Sequence, residues 1–298
     1  MKKRLLKIFI ALLFVIGIIG YILTIHVAPY AIIQPQKINL PIIPLQLGLQ
    51  SEKLTINTKD NISLKGYYIH SKQEETRGIM ILIHGIGGCK EHFLNLSASL
   101  ANKGIASVIF DGRAHGESGG QYCTYGFYEK HDISVIVDEI KKRNPSLKIG
   151  IWGNSLGGAI AIQALELDKR IEFGIIESTF ADLDQIVYDY KKNILGGFGV
   201  RFISDAALQE AGNIANFNPE KVKPIHAVKN IQQPMFIAHG DSDQNINYNY
   251  GKLLYENLAS AEKEFILVEG AGHFDVGQKG GESYSKKLLR FINKQLRK

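Results

Sequence analysis

One serine in this sequence stands in a setting typical of a catalytic nucleophile. Ser155 lies in GNSLGG (153–158), directly after the apolar run KIGIW and directly before the helical stretch AIAIQAL. A tight turn between a buried strand and a helix strains the serine backbone, so small residues are needed two positions before and two positions after it. Gly153 and Gly157 occupy those positions. The pattern therefore predicts a reactive hydroxyl at Ser155 rather than a plain glycine-rich turn.

A serine hydroxyl becomes a nucleophile only when a base takes its proton, so a histidine and an orienting carboxylate must lie elsewhere in the chain. In enzymes with a serine at such a turn, the acid and then the histidine follow it along the chain, each in a loop after a strand. His273 fits the base, because it follows the run EFILVEG in a loop of small residues. His226 lies in a long insertion instead, and His239 ends its own strand.

The acid has two candidates, Asp241 and Asp243, which both follow the run PMFIAHG. We favour Asp243, because the turn that begins at His239 needs two residues before a side chain points back toward the imidazole. Asp241 is interpreted as a turn former, a frequent role of aspartate. The predicted catalytic residues are therefore Ser155, Asp243 and His273.

Hydrolysis through a serine also needs backbone N–H groups that stabilise the developing oxyanion. Leu156, directly after the serine and at the start of a helix, is predicted to supply one of them. Ile86, in the loop HGIGG after the first core strand, is predicted to supply the other. The chain shows no metal-ligand spacing such as H-E-x-x-H, so neither a metal nor a cofactor is expected.

Other polar residues near these motifs are interpreted as structural. His84 ends a buried strand and His115 lies in DGRAHGESGG (111–120), and both are expected to brace loops through hydrogen bonds. Asp111 and Arg113 are expected to form a charge pair that fixes the same loop.

These residues need a sheet to position them, and the rest of the chain predicts one. From Gly78 onward, short apolar runs alternate with segments of helical period, which indicates a mostly parallel sheet flanked by helices. Before Gly78, apolar and polar residues alternate within LTINT and within SLKGYYIH, and a turn lies between the two segments. This pattern predicts an antiparallel hairpin at the sheet edge. From Phe180 to Val228 the alternation stops, which predicts a helical, lid-like insertion over residues 179–230. An ordinary helical connection without a gating role is the alternative.

The N-terminus has the composition of a membrane segment. Residues 8–25 form an uncharged run of 18 residues behind the basic cluster MKKRLLK. As a helix of roughly 27 Å, this run just spans a bilayer core. No A-x-A-like site follows it, so an uncleaved anchor over residues 1–33 is favoured over a cleaved signal peptide. A connector over 34–50 and a catalytic domain over 51–298 follow.

Charge predicts the orientation of this anchor and excludes one class of partner. The chain has 35 basic and 29 acidic residues, and four basic ones precede the apolar run, so the body is nearly neutral. We expect a single-pass membrane protein with a cytoplasmic N-terminus and an extracytoplasmic catalytic domain. No basic stripe with interleaved aromatic residues indicates nucleic-acid binding. Cys89 and Cys123 have neither metal nor redox spacing, and the sequence leaves open whether they pair.

With HGIGG, DGRAHGESGG, GNSLGG, HGDSD and GAGH in this order, the chain from about residue 50 to its end resembles the serine aminopeptidase-like branch of the α/β-hydrolase superfamily. It is most similar to membrane-anchored bacterial members with the stretch TYGFYEKHD (124–132). The resemblance implies the α/β-hydrolase fold and a metal-free serine hydrolase with Ser155, Asp243 and His273 as its triad. Ala114 stands where the family usually has glycine, and Asn154 fills the variable elbow position. Neither departure touches the triad.

The predicted function is hydrolysis of a carboxylic ester through an acyl-enzyme on Ser155. The apolar insertion and the anchor favour a small-molecule or lipid-like acyl substrate. A peptidase or an acyltransferase with the same triad, and a catalytically silent binding module, remain alternatives. The sequence decides neither the chain length of the substrate, nor ester against amide preference, nor the oligomeric state.

Overall fold

The short apolar runs after Gly78 form the parallel part of an eight-stranded sheet in the computed structural model, which describes residues 2–194 and 196–297. Its strands are β1 (Ser51–Asn57), β2 (Ser63–Ile69), β3 (Gly78–Ile83), β4 (Ile105–Phe110), β5 (Ile149–Asn154), β6 (Ile171–Glu177), β7 (Met235–Gly240) and β8 (Lys263–Val268). Its α-helices are α1 (Lys2–Ile22), α2 (Ala28–Ile33), α3 (Leu94–Ala101), α4 (Glu129–Arg143), α5 (Leu156–Leu167), α6 (Leu183–Ile194), α7 (Arg201–Ala215), α8 (Pro224–Ala227), α9 (Asn249–Asn257) and α10 (Val276–Arg297).

The sheet order is β1-β2-β4-β3-β5-β6-β7-β8. The hairpin β1–β2 is antiparallel, β2 joins β4 in antiparallel register, and all later pairs are parallel. This order confirms the predicted mostly parallel α/β architecture with a hairpin at one edge. Parallel strands end at the same edge of a sheet, so the loops after β3, β5, β7 and β8 meet there.

The core lies on both faces of the sheet. Every residue of β3, β4 and β7 is buried, because helices cover the sheet from two sides. Residues of α4 and α5 pack on one face, and residues of α3 and α10 pack on the other. β8 differs from these strands, because it is the outer strand of the sheet and leaves Leu267 45% exposed.

The N-terminal segment is helical throughout. Between α1 and α2 the helix widens to a π-helix over Leu23–Val27, so the helical segment runs from Lys2 to Ile33. Its apolar window has a mean hydropathy of 2.9 and no buried residue, and the helix is long and apolar enough to cross a membrane. The predicted connector 34–50 contains no strand and no helix except a short 3-10 helix over Pro44–Leu47.

The insertion between β6 and β7 is helical and contains α6, α7 and α8. Residues 179–230 are called the lid below. Leu195 of this range lies outside the described residues, as do Met1 and Lys298 at the ends of the predicted anchor and catalytic domain. Within the lid α6 packs against α7, and α7 also packs against α2 of the N-terminal helix.

Candidate active site

The turn at Ser155 joins the end of β5 directly to the start of α5. Ser155 has a φ of 53° and a ψ of −123°, a backbone conformation that non-glycine residues rarely adopt. A Cβ atom at Gly157 would lie 2.1 Å from the carbonyl oxygen of Ile83, and one at Gly153 would lie 2.1 Å from the carbonyl oxygen of Gly157. The two glycines therefore allow the close approach of chain segments around Ser155, and the strained backbone of this serine is typical of functional sites.

The loops after β7 and β8 bring Asp243 and His273 to this serine. The Nε2 atom of His273 lies 2.9 Å from Oγ of Ser155, and its Nδ1 atom lies 2.7 Å from Oδ2 of Asp243. The other carboxylate oxygen of Asp243 accepts hydrogen bonds from the backbone N–H groups of Asn245 at 2.8 Å and Ile246 at 2.9 Å. The three predicted catalytic side chains thus form one hydrogen-bonded row, with the carboxylate fixed at its far end.

The carboxyl group of Asp243 is held in its ionised form. Burial raises its pKa, but hydrogen bonds from His239, His273 and the N–H of Ile246 outweigh burial and hold the pKa well below its usual range. An ionised acid at this position favours the tautomer of His273 with a proton on Nδ1, which leaves Nε2 free to accept the proton of Ser155.

Comparison with known proteins agrees with this geometry. The esterase Pf2001 of Pyrococcus furiosus superposes with a TM-score of 0.72 at 23% identity, over 88% of this chain and 99% of the esterase, which shows a shared fold. Residues 74–213 match the family described as serine aminopeptidase, S33. The chain has the α/β-hydrolase fold. The matched family, which covers just under half of the chain, agrees with the branch that the motifs indicated from sequence.

Two related proteins extend this similarity beyond the matched segment. The uncharacterized protein YqkD of Bacillus subtilis is 28% identical over 235 residues, which cover 77% of this chain and 75% of YqkD. The lysophosphatidylserine lipase ABHD12 of Xenopus tropicalis is 26% identical over 226 residues, which cover 72% of this chain and 56% of ABHD12. Because one hydrolase fold serves many substrates, these similarities leave the substrate to be argued from the site.

Both predicted oxyanion residues lie beside the serine. Leu156 begins α5, and Ile86 lines the same cavity as Ser155 and Leu156. A Cβ atom at Gly85 would lie 3.2 Å from Cβ of Ser155, so the HGIGG loop passes directly over the nucleophile candidate. This placement is compatible with backbone N–H groups of Ile86 and Leu156 that donate to the oxyanion of the substrate. Their role as the oxyanion hole stays a prediction.

A cavity of about 460 Å³ opens beside Ser155. Its lining is mostly apolar and comes from the N-terminal helix, the HGIGG loop, the loop around Tyr125 and the lid. The lining residues are Ala28, Ala31, Ile32, Ile86, Tyr125, Ser155, Leu156, Phe180, Ile186, Val187, Tyr190, Lys191, Ser204, Ala207 and Ile246. Such a cavity suits an acyl chain rather than a charged group.

His239 is a site residue whose role the sequence analysis missed. It was predicted only to end β7, but its Nε2 atom lies 2.9 Å from the carbonyl oxygen of Ile246 and 3.3 Å from Oδ2 of Asp243. Its Nδ1 atom is buried without a hydrogen-bond partner in the described part of the chain, which assigns the proton to Nε2. His239 therefore donates to the loop that holds the acid. The spacing of four residues between His239 and Asp243 in HGDSD was the sequence feature that could have indicated this contact.

The two histidines predicted as loop braces make such contacts. His84 hydrogen-bonds through Nδ1 to the carbonyl oxygen of Gly85 at 2.8 Å and accepts from the N–H of Gly112 through Nε2 at 3.0 Å. Burial and the nearby ring of His115 lower the pKa of His84 to about 4, so it stays neutral. His115 contacts the carbonyl oxygen of Arg113 through Nδ1 at 2.9 Å.

The predicted charge pair between Asp111 and Arg113 is wrong. Asp111 lies 2.8 Å from Nζ of Lys90, and Arg113 binds Asp132 at 2.6 Å and Asp60 at 2.9 Å. The two residues are neighbours in sequence, but each reaches a carboxylate or an amine on a different element. Asp111 and Arg113 still fix the loop 111–120. Their partners lie far away in the sequence, so the spacing of the two residues does not indicate them.

Lys90 is expected to be the most important of these charges for stability. Its side chain is 2% exposed and its Nζ atom lies 2.8 Å from Asp111, 2.8 Å from Glu117 and 2.9 Å from Glu91. Lys90→Met leaves the buried carboxylates without a counterion and is expected to lower the free energy of unfolding by about 3–5 kcal/mol.

The matched control is Lys286→Met, which removes an exposed pair with Glu282 on α10. Lys286→Met is expected to lower the free energy of unfolding by less than about 1 kcal/mol, because exposed ion pairs contribute little to stability. Urea unfolding of the detergent-solubilised chain followed by circular dichroism measures both variants. Equal losses for the two lysines would contradict the prediction.

The two cysteines are free thiols and both are buried. Burial raises the pKa of Cys89 to about 11 and that of Cys123 well above its ordinary value, so neither is a reactive thiolate near neutral pH. Within residues 2–194 and 196–297, no group of three or more His, Cys, Asp or Glu side chains is arranged to hold a metal ion.

Proposed function

We propose that this chain hydrolyses a carboxylic ester through an acyl-enzyme on Ser155. The observation on which the proposal rests is the row of hydrogen bonds from Ser155 through His273 to Asp243, at 2.9 Å and 2.7 Å. As Oγ of Ser155 attacks the ester carbonyl, Nε2 of His273 takes the hydroxyl proton and Asp243 stabilises the imidazolium. The N–H groups of Ile86 and Leu156 stabilise the tetrahedral oxyanion.

The second half of the reaction uses the same groups. His273 gives its proton to the alcohol oxygen as the C–O bond of the ester breaks, which leaves the acyl group on Ser155. Water then enters, gives a proton to His273 and attacks the acyl carbonyl, and collapse of the second tetrahedral intermediate releases the acid and returns the proton to Oγ. One water is consumed for each ester, and the side chains end unchanged.

An ester is favoured over a peptide because of the cavity lining. A peptidase that recognises a free N-terminus needs a carboxylate near the serine, and the described residues that line the cavity include no carboxylate. One structural neighbour is an esterase and one relative is a lysophosphatidylserine lipase, and both support an ester as the bond that is cleaved. The apolar lining supports an acyl chain in the cavity.

A fluorophosphonate probe tests the nucleophile directly. The folded full-length chain in detergent is expected to gain the mass of one phosphonyl group, on the peptide that contains Ser155. The heat-denatured chain is the control and is expected to gain none, because labelling requires the assembled base. No labelling of the folded chain would reject the proposal in favour of a catalytically silent module, and labelling of a different serine would reject Ser155 as the nucleophile.

The acyl-chain preference is expected to follow the cavity. Each methylene that enters an apolar cavity contributes about 0.8 kcal/mol, so kcat/KM is expected to rise about fourfold for each added methylene until the cavity is full. A series of p-nitrophenyl esters from acetate to dodecanoate measures this rise. A preference for acetate, with a lower kcat/KM for every longer chain, would contradict the prediction.

A further inference from the structure

The last turn of the N-terminal helix belongs structurally to the catalytic body. Ile33 is fully buried, and its carbonyl oxygen accepts the N–H of Cys123 at 2.7 Å. The carbonyl oxygen of Ile32 accepts the hydroxyl of Tyr125 at 2.6 Å. These bonds hold the end of a helix that is long and apolar enough to cross a membrane against the loop 124–128, beside the candidate active site.

The same turn forms one wall of the cavity at Ser155. Ala28, Ala31 and Ile32 line it together with the lid. Among the described lining residues, Ala31 and Ile86 are the exposed ones, so the mouth of the cavity opens between α2 and the HGIGG loop. An acyl chain that enters the cavity therefore passes directly beside the N-terminal helix.

The lid helix α7 packs beside the end of the N-terminal helix. The C-terminal ends of both reach the loop 124–128, where Tyr125 binds Ile32 and the hydroxyl of Tyr128 donates to the carbonyl oxygen of Asn216. Helix α7 also packs against α2 and against Leu23–Val27. The lid helix therefore reaches the residues at which the apolar run of the N-terminal helix ends.

Three large apolar side chains are exposed at this start of the lid helix. Phe198, Val200 and Phe202 are 82%, 53% and 72% exposed, and we call them the lid tip. Contiguous exposed apolar residues on a soluble surface are unfavourable, and they typically mark a contact with a membrane or a partner. The lid tip lies at the start of a helix that packs against Leu23–Val27, at the end of the apolar run of the candidate membrane span, and this contact favours a bilayer as the partner of the lid tip.

We propose that the lid tip lies in the same membrane leaflet as the end of the N-terminal helix, and that an acyl ester enters the cavity from the bilayer between α2 and the HGIGG loop. The substrate class is a membrane lipid ester, and this entry route rests on the proposed ester hydrolysis at Ser155. The position of the lid tip does not depend on that activity. The N-terminal helix, the cavity mouth and the lid tip then form one apolar surface. The acyl chain can therefore move from the bilayer into the cavity without contact with water.

Tryptophan fluorescence tests the position of the lid tip without using activity. Trp152 is the one tryptophan of the chain and is 5% exposed, so it gives a constant background. Phe198→Trp in the full chain, reconstituted into phosphatidylcholine vesicles, is expected to be quenched by brominated phosphatidylcholine at least about twofold more strongly than the wild type, since the probe lies within the leaflet.

Leu167→Trp is the matched control. Leu167 is also an exposed apolar residue, but it ends α5, a 12-residue helix that starts beside Ser155 and leads about 18 Å away from the site. We expect no added quenching there. Equal quenching of the two variants would overturn the proposal. A blue-shifted emission of Phe198→Trp without quenching would also overturn it, because the lid tip would then pack against a second copy of the chain.

Activity tests the entry route. The double variant Phe198→Asp and Phe202→Asp is expected to lose about tenfold or more in activity on a long-chain acyl ester held in the vesicles, because a charge in place of each ring expels the tip from the bilayer. Turnover of water-soluble p-nitrophenyl butyrate is expected to stay within about twofold. Equal losses on both esters would overturn the entry route. An absence of p-nitrophenyl butyrate turnover in the wild type would instead reject the proposed function and leave the quenching result standing.

Discussion

Replacing Ser155 by alanine is expected to lower kcat/KM for a p-nitrophenyl ester by roughly 10⁵- to 10⁶-fold, the loss seen when a triad nucleophile is removed. The hydroxyl is the atom that bonds to the acyl carbon, and His273 lies 2.9 Å from it as the base. Without it, His273 and the N–H donors have no nucleophile to activate. Initial rates of purified full-length chain in detergent, over a range of ester concentrations, measure the loss.

The fold is expected to survive this change. Alanine retains the Cβ atom of Ser155 and therefore the strain at the turn, so the unfolding temperature is expected to change by less than about 4 °C. Ser242→Ala is the matched control, because Ser242 is next to Asp243 in sequence but is exposed and donates to Asp241. It is expected to keep full activity. Substantial activity in Ser155→Ala would reject the acyl-enzyme on this residue.

The elements of the candidate site were predictable because each functional side chain lies directly after a strand. A continuous apolar run such as KIGIW or MFIAHG forms a buried strand, EFILV forms the outer strand beside them, and parallel strands end at one edge of the sheet. The residues that follow such runs, Ser155, Asp243 and His273, therefore converge whatever the helices between them do. Sequence order and strand ends sufficed for this part of the site.

Contacts between distant elements were not predictable in the same way. The apolar pattern of residues 8–25 predicts a helix, but nothing in it indicates that Ala28 and Ala31 line the cavity at Ser155. Likewise, Asp111 and Arg113 are two positions apart, and their actual partners Lys90 and Asp132 lie on other elements. Such pairs depend on how loops and helices pack in three dimensions, which periodicity does not encode.

Replacing Asp243 by asparagine is expected to lower kcat by about 10⁴-fold at neutral pH with little change in shape. The N–H groups of Asn245 and Ile246 donate to Oδ1 at 2.8 and 2.9 Å, so they are expected to keep the amide oxygen of the variant on their side. The amide NH₂ group then faces Nδ1 of His273. It donates to that nitrogen and places the imidazole proton on Nε2, where it blocks proton transfer from Ser155.

Asp241→Asn separates this effect from a general loss of negative charge in the loop. Oδ1 of Asp241 accepts the N–H of Gly270 at 2.7 Å, and an amide oxygen accepts the same bond. The variant is therefore expected to stay within about threefold of wild-type kcat, since its side chain has no role in orienting His273. Steady-state kinetics of both variants decide between the two aspartates. An inactive Asp241→Asn variant together with an active Asp243→Asn variant would contradict the prediction. The residue that orients His273 would then be Asp241.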